Sequence, residues 1–205
     1  MPGSGRLPRG DGLMGALEAL DALRERRKVE PWVQEPFTPL SNRSLLCFDQ
    51  SLASTGWAVV RGRHPFVFAT GTIRTKAVGT GHESDLQRAV QIYERICQML
   101  TMSKCDAIVH EEPPIGSLVV GGGTSSLSAA VAVRNAASRV GVPVLMVQAQ
   151  RAKKRIVGDP NASKAAMKVA LEQLFPHLPG VTTPAWNSDV RDAVALGVIE
   201  LEREV

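Results

Sequence analysis

Four acidic residues stand where carboxylates from distant parts of the chain could meet. Asp49 ends the apolar segment SLLCFD, and Glu111 lies at the end of DAIVHEE. Both segments are typical of strands, and the carboxyl ends of neighbouring parallel strands meet at one edge of a sheet. Asp189 and Asp192 are three residues apart in a predicted helix, so they share one of its faces. The spacing predicts a cluster of four carboxylates.

Such a cluster needs a counter-charge, because like charges at this spacing repel one another. Hard oxygen donors suit Mg²⁺ or Mn²⁺ rather than zinc, which prefers His and Cys. Two such ions about 4 Å apart can stabilise both the attacking and the leaving oxygen of a phosphoryl displacement. The acids therefore predict phosphodiester hydrolysis with two ions per active site. Taken singly, each acid could instead be a turn former, a solvated edge residue or a helix N-terminal residue.

A basic segment lies between the second acid and the last pair. Residues 150–168 contain six basic residues against one acid, Asp159, although the whole chain has a net charge of only +4. Clustered cations of this kind contact nucleic acid phosphates, and such binding weakens as salt rises. The predicted DNA contacts are Arg151, Lys153, Lys154, Arg155, Lys164 and Lys168. A solvated helix face is the alternative interpretation.

The segments around these residues predict an α/β fold. SLLCFD, GWAVVR and PFVFATGTIR indicate three consecutive strands with short connections, as in an antiparallel meander. An amphipathic helix follows in residues 83–102. Its apolar residues recur at spacings of three and four: Leu86, Val90, Tyr93, Ile96 and Leu100. With the later strands DAIVHEE and VPVLMV, the predicted order is β-β-β-α-β-α-β-α-α, a mixed five-stranded sheet flanked by helices.

Several motifs follow one another along residues 44–200. In FDQSLASTGWAVV, an acid at a strand end precedes small residues and a Thr-Gly-aromatic step, and GTIRT ends the third strand. DAIVHEE supplies Glu111, KKRIVGDPNASK supplies Lys153 and Lys164, and DVRDA carries an acidic pair before alanine. In this order they resemble the motifs of the RuvC family of Holliday junction resolvases. That family has the ribonuclease H-like fold.

The resemblance implies a metal-dependent endonuclease that resolves four-way DNA junctions. It implies Mg²⁺ as the cofactor, with Mn²⁺ able to substitute. Asp49 would bridge the two ions, while Glu111 and Asp192 would complete their coordination. Asp189 would hold one ion or orient the attacking water.

Two further implications concern the lysines and the assembly. Lys153 and Lys164 would grip the scissile backbone or offset charge in the transition state. Because a junction needs two symmetric cuts, the resemblance implies a homodimer. The small-residue helix SLSAAVAVRNAASRV is expected either to form the dimer interface or to pack onto the sheet.

Two departures from the family leave other functions open. Gln50 and Ser51 stand where many members have Pro-Gly, and the loop EPPIGSLVVGGG lacks the aromatic residue that inserts into the junction centre. Ile115, Leu118 or Val119 could act there as an apolar wedge. One alternative is a nuclease of the same fold that cuts flaps and forks. Another, of a different class, is an actin-like or sugar-kinase-like ATP-binding protein, with DQSLASTG as a phosphate loop.

Residues 1–43 are expected to form an N-terminal extension before a nuclease domain in residues 44–205. GLMGALEALDALRERRK is predicted to be a short helix and VEPWVQEPFTPLSN a linker. The acids of this extension favour a surface helix or a partner-contacting arm over a mitochondrial transit peptide.

The remaining features predict a cytoplasmic protein, located in the host cell if its origin is viral. The three cysteines have no metal-ligand spacing and are interpreted as reduced packing residues. No apolar run approaches the roughly 18 residues of a membrane span, and the N-terminus lacks a secretory signal.

Overall fold

The computed structural model describes residues 42–62, 66–113, 124–175 and 186–203. In these ranges there are five strands and five helices. The strands are β1 (Ser44–Asp49), β2 (Ser54–Arg61), β3 (Phe66–Arg74), β4 (Ala107–Glu111) and β5 (Val144–Val147). The helices are α1 (His82–Met102), α2 (Thr124–Val140), α3 (Ala149–Val157), α4 (Lys164–Leu174) and α5 (Ser188–Leu201). The predicted mixed sheet flanked by helices is confirmed.

The sheet has the strand order β3-β2-β1-β4-β5. The first three strands of the chain pair antiparallel, whereas β4 pairs in parallel with both β1 and β5. In the parallel register, Phe48 of β1 lies beside His110 of β4. Asp49 and Glu111, the next residues, therefore end neighbouring strands at the same edge of the sheet.

Helices cover both faces of the sheet. Along β1, Leu45 and Cys47 pack on one face with α3, α4 and α5. Leu46 and Phe48 pack on the opposite face with α1 and α2. This burial on both sides explains why β1 is apolar without alternation. Because Asp49 follows the same alternation as Leu45 and Cys47, its side chain belongs to the α5 face.

Helix α5 packs closely on the sheet, and most of its residues from Val190 to Leu201 are buried. Gly197 lies where α5 crosses β1 and β2, and a Cβ at that position would overlap the Cys47 side chain. The absence of a side chain thus lets the helix backbone approach the sheet. This close contact holds the start of α5 over the strand ends that carry the acids.

The observed helices differ from the prediction in two respects. Within the predicted apolar stripe of α1, Ile96 and Leu100 are buried, but Leu86 and Val90 are exposed. Three helices follow β5, not two, because residues 149–157 form α3. Its only buried residues are Ala152 and Ile156, and this short apolar signal is hidden among basic residues.

The small residues of α2 pack inside the chain. Ala129, Ala132, Ala136 and Ala137 are buried in the same core cluster as the inner side of α1. Of the two expectations for this helix, packing against the chain's own core therefore accounts for its alanines. Other α2 side chains, Leu127 and Val131, remain exposed.

Some expectations concern residues outside the described ranges. These are the helix and linker of the N-terminal extension and the apolar wedge at Ile115, Leu118 or Val119. All three cysteines are described and free, and Cys47 is buried in the core. None of the described helices is both long enough and apolar enough to cross a membrane.

Candidate active site

A pocket of about 210 Å³ opens where β1 and β4 end. Five of the six predicted catalytic residues line it: Asp49, Glu111, Asp192, Lys153 and Lys164. They come from five different elements, β1, β4, α5, α3 and α4. The sixth, Asp189, is linked to this group through Lys164. The fold thus brings together residues from distant parts of the sequence, and the pocket walls between them are formed by apolar residues of α3, α4 and α5.

Asp49 and Glu111 form a pair of partly buried carboxyl groups joined by a hydrogen bond. Burial, and then the negative charges of Asp192, Glu111 and Asp189, raise the pKa of Asp49 to about 8. Burial also raises the pKa of Glu111. At neutral pH Asp49 therefore holds a proton, which it can donate to Glu111. The pKa of Asp49 is thus raised first by its burial and second by the neighbouring negative charges.

The acidic pair of α5 is held by hydroxyl groups and one lysine. Asp189 Oδ2 accepts a hydrogen bond from Ser54 Oγ at 2.6 Å, and its Oδ1 accepts one from Ser188 Oγ at 3.0 Å. Lys164 Nζ lies 3.5 Å from Asp192 Oδ2 and 3.9 Å from Asp189 Oδ1. Burial raises the pKa of Asp192, and Lys164 opposes that rise. Lys164 is thus a counter-ion for both acids of the pair.

The first turn of α5 is fixed against β2 and β3. Asn187 caps the helix, because its Oδ1 accepts the Val190 N–H at 2.9 Å. Its Nδ2 donates to Thr72 Oγ1 at 3.2 Å. Gly56 of β2 lies so close to the backbone of Asp189 that a Cβ would overlap it. Sequence reasoning did not identify these supports, although Asn before a helix is a recognisable cap and Gly56 belongs to the quoted Thr-Gly-aromatic motif.

Two other supporting residues were also missed. Gln50 is buried, and its side-chain amide hydrogen-bonds both the N–H and the C=O of Glu111. The buried His110 ring lies with Nδ1 2.7 Å from the same carbonyl oxygen. Burial lowers the pKa of His110, so the ring is neutral at pH 7. No local sequence pattern marks the Gln50 contacts, since they join residues 61 positions apart, whereas His110 contacts the residue next to it in the chain.

The basic residues predicted to bind DNA do not share one environment. Lys153 and Lys164 line the pocket with the carboxylates. Arg151 and Lys154 are exposed on α3. Cations both inside and beside the acidic pocket are what a phosphate backbone crossing it would need. DNA contact by these residues stays a prediction.

The other two basic residues are engaged in ion pairs. Arg155 Nη2 lies 2.5 Å from Glu202 Oε1, which connects α3 to the end of α5. Lys168 Nζ lies 3.8 Å from Glu172 Oε1, one turn further along α4. An exposed pair such as Lys168–Glu172 contributes little to stability, about 0–1 kcal/mol, so it can be exchanged for another partner, whereas the Arg155–Glu202 pair is partly buried. Phosphate contact by Arg155 and Lys168 would require that exchange.

The chemistry of the donors fits a divalent cation. Asp49, Glu111 and Asp192 offer hard oxygen ligands in one pocket, where burial and the neighbouring carboxylates both raise the pKa of Asp49. Within the described ranges, no group of three or more His, Cys, Asp or Glu side chains is arranged to hold a metal ion as it stands. Lys164 supplies positive charge there, and with 64% of its side chain exposed it has room to turn away. The metal site remains a prediction.

Comparison with known proteins gives a clear result for the fold. No family model and no curated protein sequence matches the chain. The solved structure of Thermus thermophilus RuvC is similar, with a TM-score of 0.59 at 19% identity over 76% of this chain and 90% of that one. The structure of T. thermophilus RuvC in complex with Holliday junction substrate is also similar, with a TM-score of 0.61 at 20% identity over 76% of this chain and 91% of that one. The chain therefore has a RuvC-like, ribonuclease H-like fold, as its motifs predicted.

Proposed function

We propose that the protein is a divalent-metal-dependent endonuclease that resolves four-way DNA junctions. The observation that carries the proposal is the pocket where three carboxylates and two lysines meet at the ends of two parallel strands. Thermus thermophilus RuvC, which has a similar fold, has been solved with a Holliday junction substrate. Acids and cations together are the combination needed to bind a phosphodiester and hydrolyse it.

Each charged residue has a definite task in this proposal. A bound divalent cation would neutralise the carboxylates and stabilise charge on the attacking and leaving oxygens. Asp49, Glu111 and Asp192 would hold the ions, which requires Asp49 to release its proton. Lys164 would turn from the acids toward the scissile phosphate, and Lys153 would hold the backbone beside it.

The turn between β1 and β2 argues against the ATP-binding alternative. Ser51 Oγ donates to Ser54 O at 2.9 Å and accepts the Ser54 N–H at 3.1 Å. Thr55 Oγ1 donates to Ser51 O at 2.7 Å, and Ser54 Oγ donates to Asp189. These hydroxyl groups close the turn and attach it to α5. They are therefore engaged within the protein, whereas a phosphate loop presents such groups to its ligand.

The proposal is tested with an end-labelled mobile four-way junction, a fork and a linear duplex, each in Mg²⁺ or EDTA. We expect paired symmetric nicks in the junction, none in EDTA, and none with Glu111→Gln. Glu94→Gln is the matched control, because it removes an exposed carboxylate of α1 far from the pocket. Equal cutting of the fork would replace the resolvase by a general branched-DNA nuclease. No cutting of any substrate in Mg²⁺ would contradict the proposal.

Symmetric cutting requires two active sites, and we propose that they come from a homodimer. A groove between α1 and α2 provides an exposed apolar surface, which we call the α1–α2 face. Its large apolar side chains, Leu86, Val90, Leu127 and Val131, are between 37% and 60% exposed. Several such side chains on one surface commonly mark an interaction site.

For the dimer we predict that Val131→Glu gives a monomer, because the charge would be buried in an apolar interface. The mass in solution should fall from twice that of the chain to that of the chain, as measured by light scattering after size exclusion. Val169→Glu is the matched control, since Val169 is a similarly exposed valine on α4. A monomeric wild-type protein at concentrations that cut junctions would contradict the dimer.

A further inference from the structure

We propose that Gln50 and His110 are positioning residues that clamp the main chain of Glu111 and thereby set the place of its carboxylate in the pocket. The inference rests on the proposed function, because it concerns the same acidic site. It assigns a task to the residue that replaces proline after the first acid, and to a buried histidine outside the pocket.

Gln50 extends the pairing of β1 with β4 by one residue of β4. Its Nε2 donates to the Glu111 carbonyl oxygen at 2.7 Å, and its Oε1 accepts the Glu111 N–H at 3.2 Å. The main-chain register between these strands is established up to Phe48 and His110. Beyond that point the side-chain amide, which has the same donor and acceptor groups as a peptide, pairs with Glu111. Only 5% of Gln50 is exposed, so water cannot easily substitute for it.

His110 supplies a second donor to the same carbonyl oxygen. Its Nδ1 lies 2.7 Å from Glu111 O. A carbonyl oxygen only accepts hydrogen bonds, so Nδ1 must carry the proton of the neutral ring. The other nitrogen, Nε2, is then an acceptor, and Arg134 Nε of α2 lies 3.5 Å from it. Arg134 thus favours the tautomer that the clamp requires.

Together the two side chains leave the main chain at Glu111 little freedom. Its oxygen has two donors and its N–H has one acceptor, all from groups that are buried or nearly so. Glu111 is the last residue of β4 and is registered with Val147 of β5, but its main-chain register with β1 has ended, so on that side it depends on the Gln50 amide. Asp49 is held by main-chain pairing with Gly56, and Asp192 by the α5 helix. Removing a group that orients a metal ligand without touching the metal typically lowers metal affinity by about 10–100-fold.

The experiment compares metal binding with local amide exchange. Gln50→Met keeps the length of the side chain without its hydrogen bonds, and His110→Leu removes the second donor. His110→Asn is the rescue variant, because its amide nitrogen can take the place of Nδ1. Ser84→Ala is the control, since the buried Ser84 hydroxyl has no hydrogen-bond partner among the described residues. Each protein is titrated calorimetrically with Mn²⁺, and the Glu111 and Phe48 amides are followed by hydrogen exchange in EDTA.

We expect Gln50→Met and His110→Leu to weaken Mn²⁺ binding by about 10–100-fold. Exchange of the Glu111 amide should accelerate at least about tenfold in Gln50→Met while that of Phe48 stays slow. His110→Asn should recover most of the affinity, and Ser84→Ala should match the wild type. Cleavage should fall with the affinity and recover at saturating Mn²⁺.

Two results would overturn the clamp. One is that Gln50→Met binds Mn²⁺ with the wild-type affinity and exchanges its Glu111 amide at the wild-type rate. The other is equal acceleration at Glu111 and Phe48, because it would mean that the variant loosens the whole sheet. If the wild-type protein neither binds Mn²⁺ nor cuts a junction, the proposed function fails, and the exchange of the Glu111 amide still decides whether the main chain of Glu111 is clamped.

Discussion

Asp49→Asn should abolish DNA cleavage and, in the absence of metal, make the protein more stable. The loss of activity follows from removing the carboxylate at the centre of the acidic group, and we expect at least a 10³-fold decrease, about 4 kcal/mol of transition-state stabilisation. The gain in stability follows from the burial of the Asp49 carboxyl group and, second, from the negative charges beside it. Asn imitates the protonated form of Asp49, including its ability to donate to Glu111, without a charge that must be buried.

The pH dependence of this gain has a definite sign. The pKa of Asp49 is about 8 in the folded, metal-free protein and 3.8 when unperturbed. The folded protein therefore keeps a proton that the unfolded chain has lost. Stability from this proton is fully present below about pH 4 and is lost as the pH rises through 8. The advantage of Asp49→Asn should grow over this interval, to a few kcal/mol at most.

Thermal unfolding in EDTA at pH 5 and pH 8 measures both the gain in stability and its dependence on pH. The melting temperature of Asp49→Asn should exceed that of the wild type by more at pH 8 than at pH 5. Asp106→Asn is the control, because Asp106 is exposed next to the start of β4 and its Oδ2 accepts the Ser44 N–H, a bond that Asn can keep. A variant that is less stable than the wild type at pH 8 would show that the carboxylate does not strain the metal-free fold.

Gly56→Ala should destabilise the protein severely, by about 3 kcal/mol or more. A Cβ at Gly56 would overlap the Asp189 main chain and come within 2.6 Å of the Val190 backbone nitrogen. Added atoms in a packed core typically cost about 1–3 kcal/mol when side chains can adjust. Here the obstacle is the backbone of a capped helix, so α5 must shift as a unit. The expected result is a lower denaturant midpoint, together with loss of cleavage.

Substitutions at two other glycines distinguish the effect of overlap with a backbone from the general effects of replacing glycine by alanine. Gly79 has a φ of 80° and open space around it, so Gly79→Ala tests left-handed strain without overlap, about 1 kcal/mol. The nearest atoms to a Cβ at Gly71 belong to the Trp57 side chain, which can move more readily than a backbone. The order of destabilisation should be Gly56, then Gly71 and Gly79. A midpoint for Gly56→Ala equal to that of Gly79→Ala would mean that α5 is not fixed against β2.

The sheet and the acids could be predicted because their signals are local. β1 is an apolar run that ends in an aspartate, and its predicted bounds match the observed strand. Asp189 and Asp192 could be placed together because helical spacing alone puts them on one face. The resemblance to a known family then supplied the two lysines. These inferences need only short stretches of sequence.

What could not be predicted depends on contacts between distant segments. The Gln50–Glu111 bonds join residues 61 positions apart, and the Asn187–Thr72 bond joins residues 115 apart. A glutamine or an asparagine carries no sign of its partner until the strands are registered. Leu86 and Val90 show a limit of helical periodicity. It predicts which residues share a face of the helix but not which of them contact the core.

The contact between Ser54 and Asp189 spans 135 positions of the chain, so it can form only after the ribosome has released the segment through α5. Earlier in translation, β1 and β4 can pair, but Asp192 has not yet been made. The nascent chain would therefore present an incomplete set of acids until α5 docks. Completion of the acidic pocket is thus coupled to the last of the described helices to be synthesised, and a product truncated before α5 would lack Asp189 and Asp192.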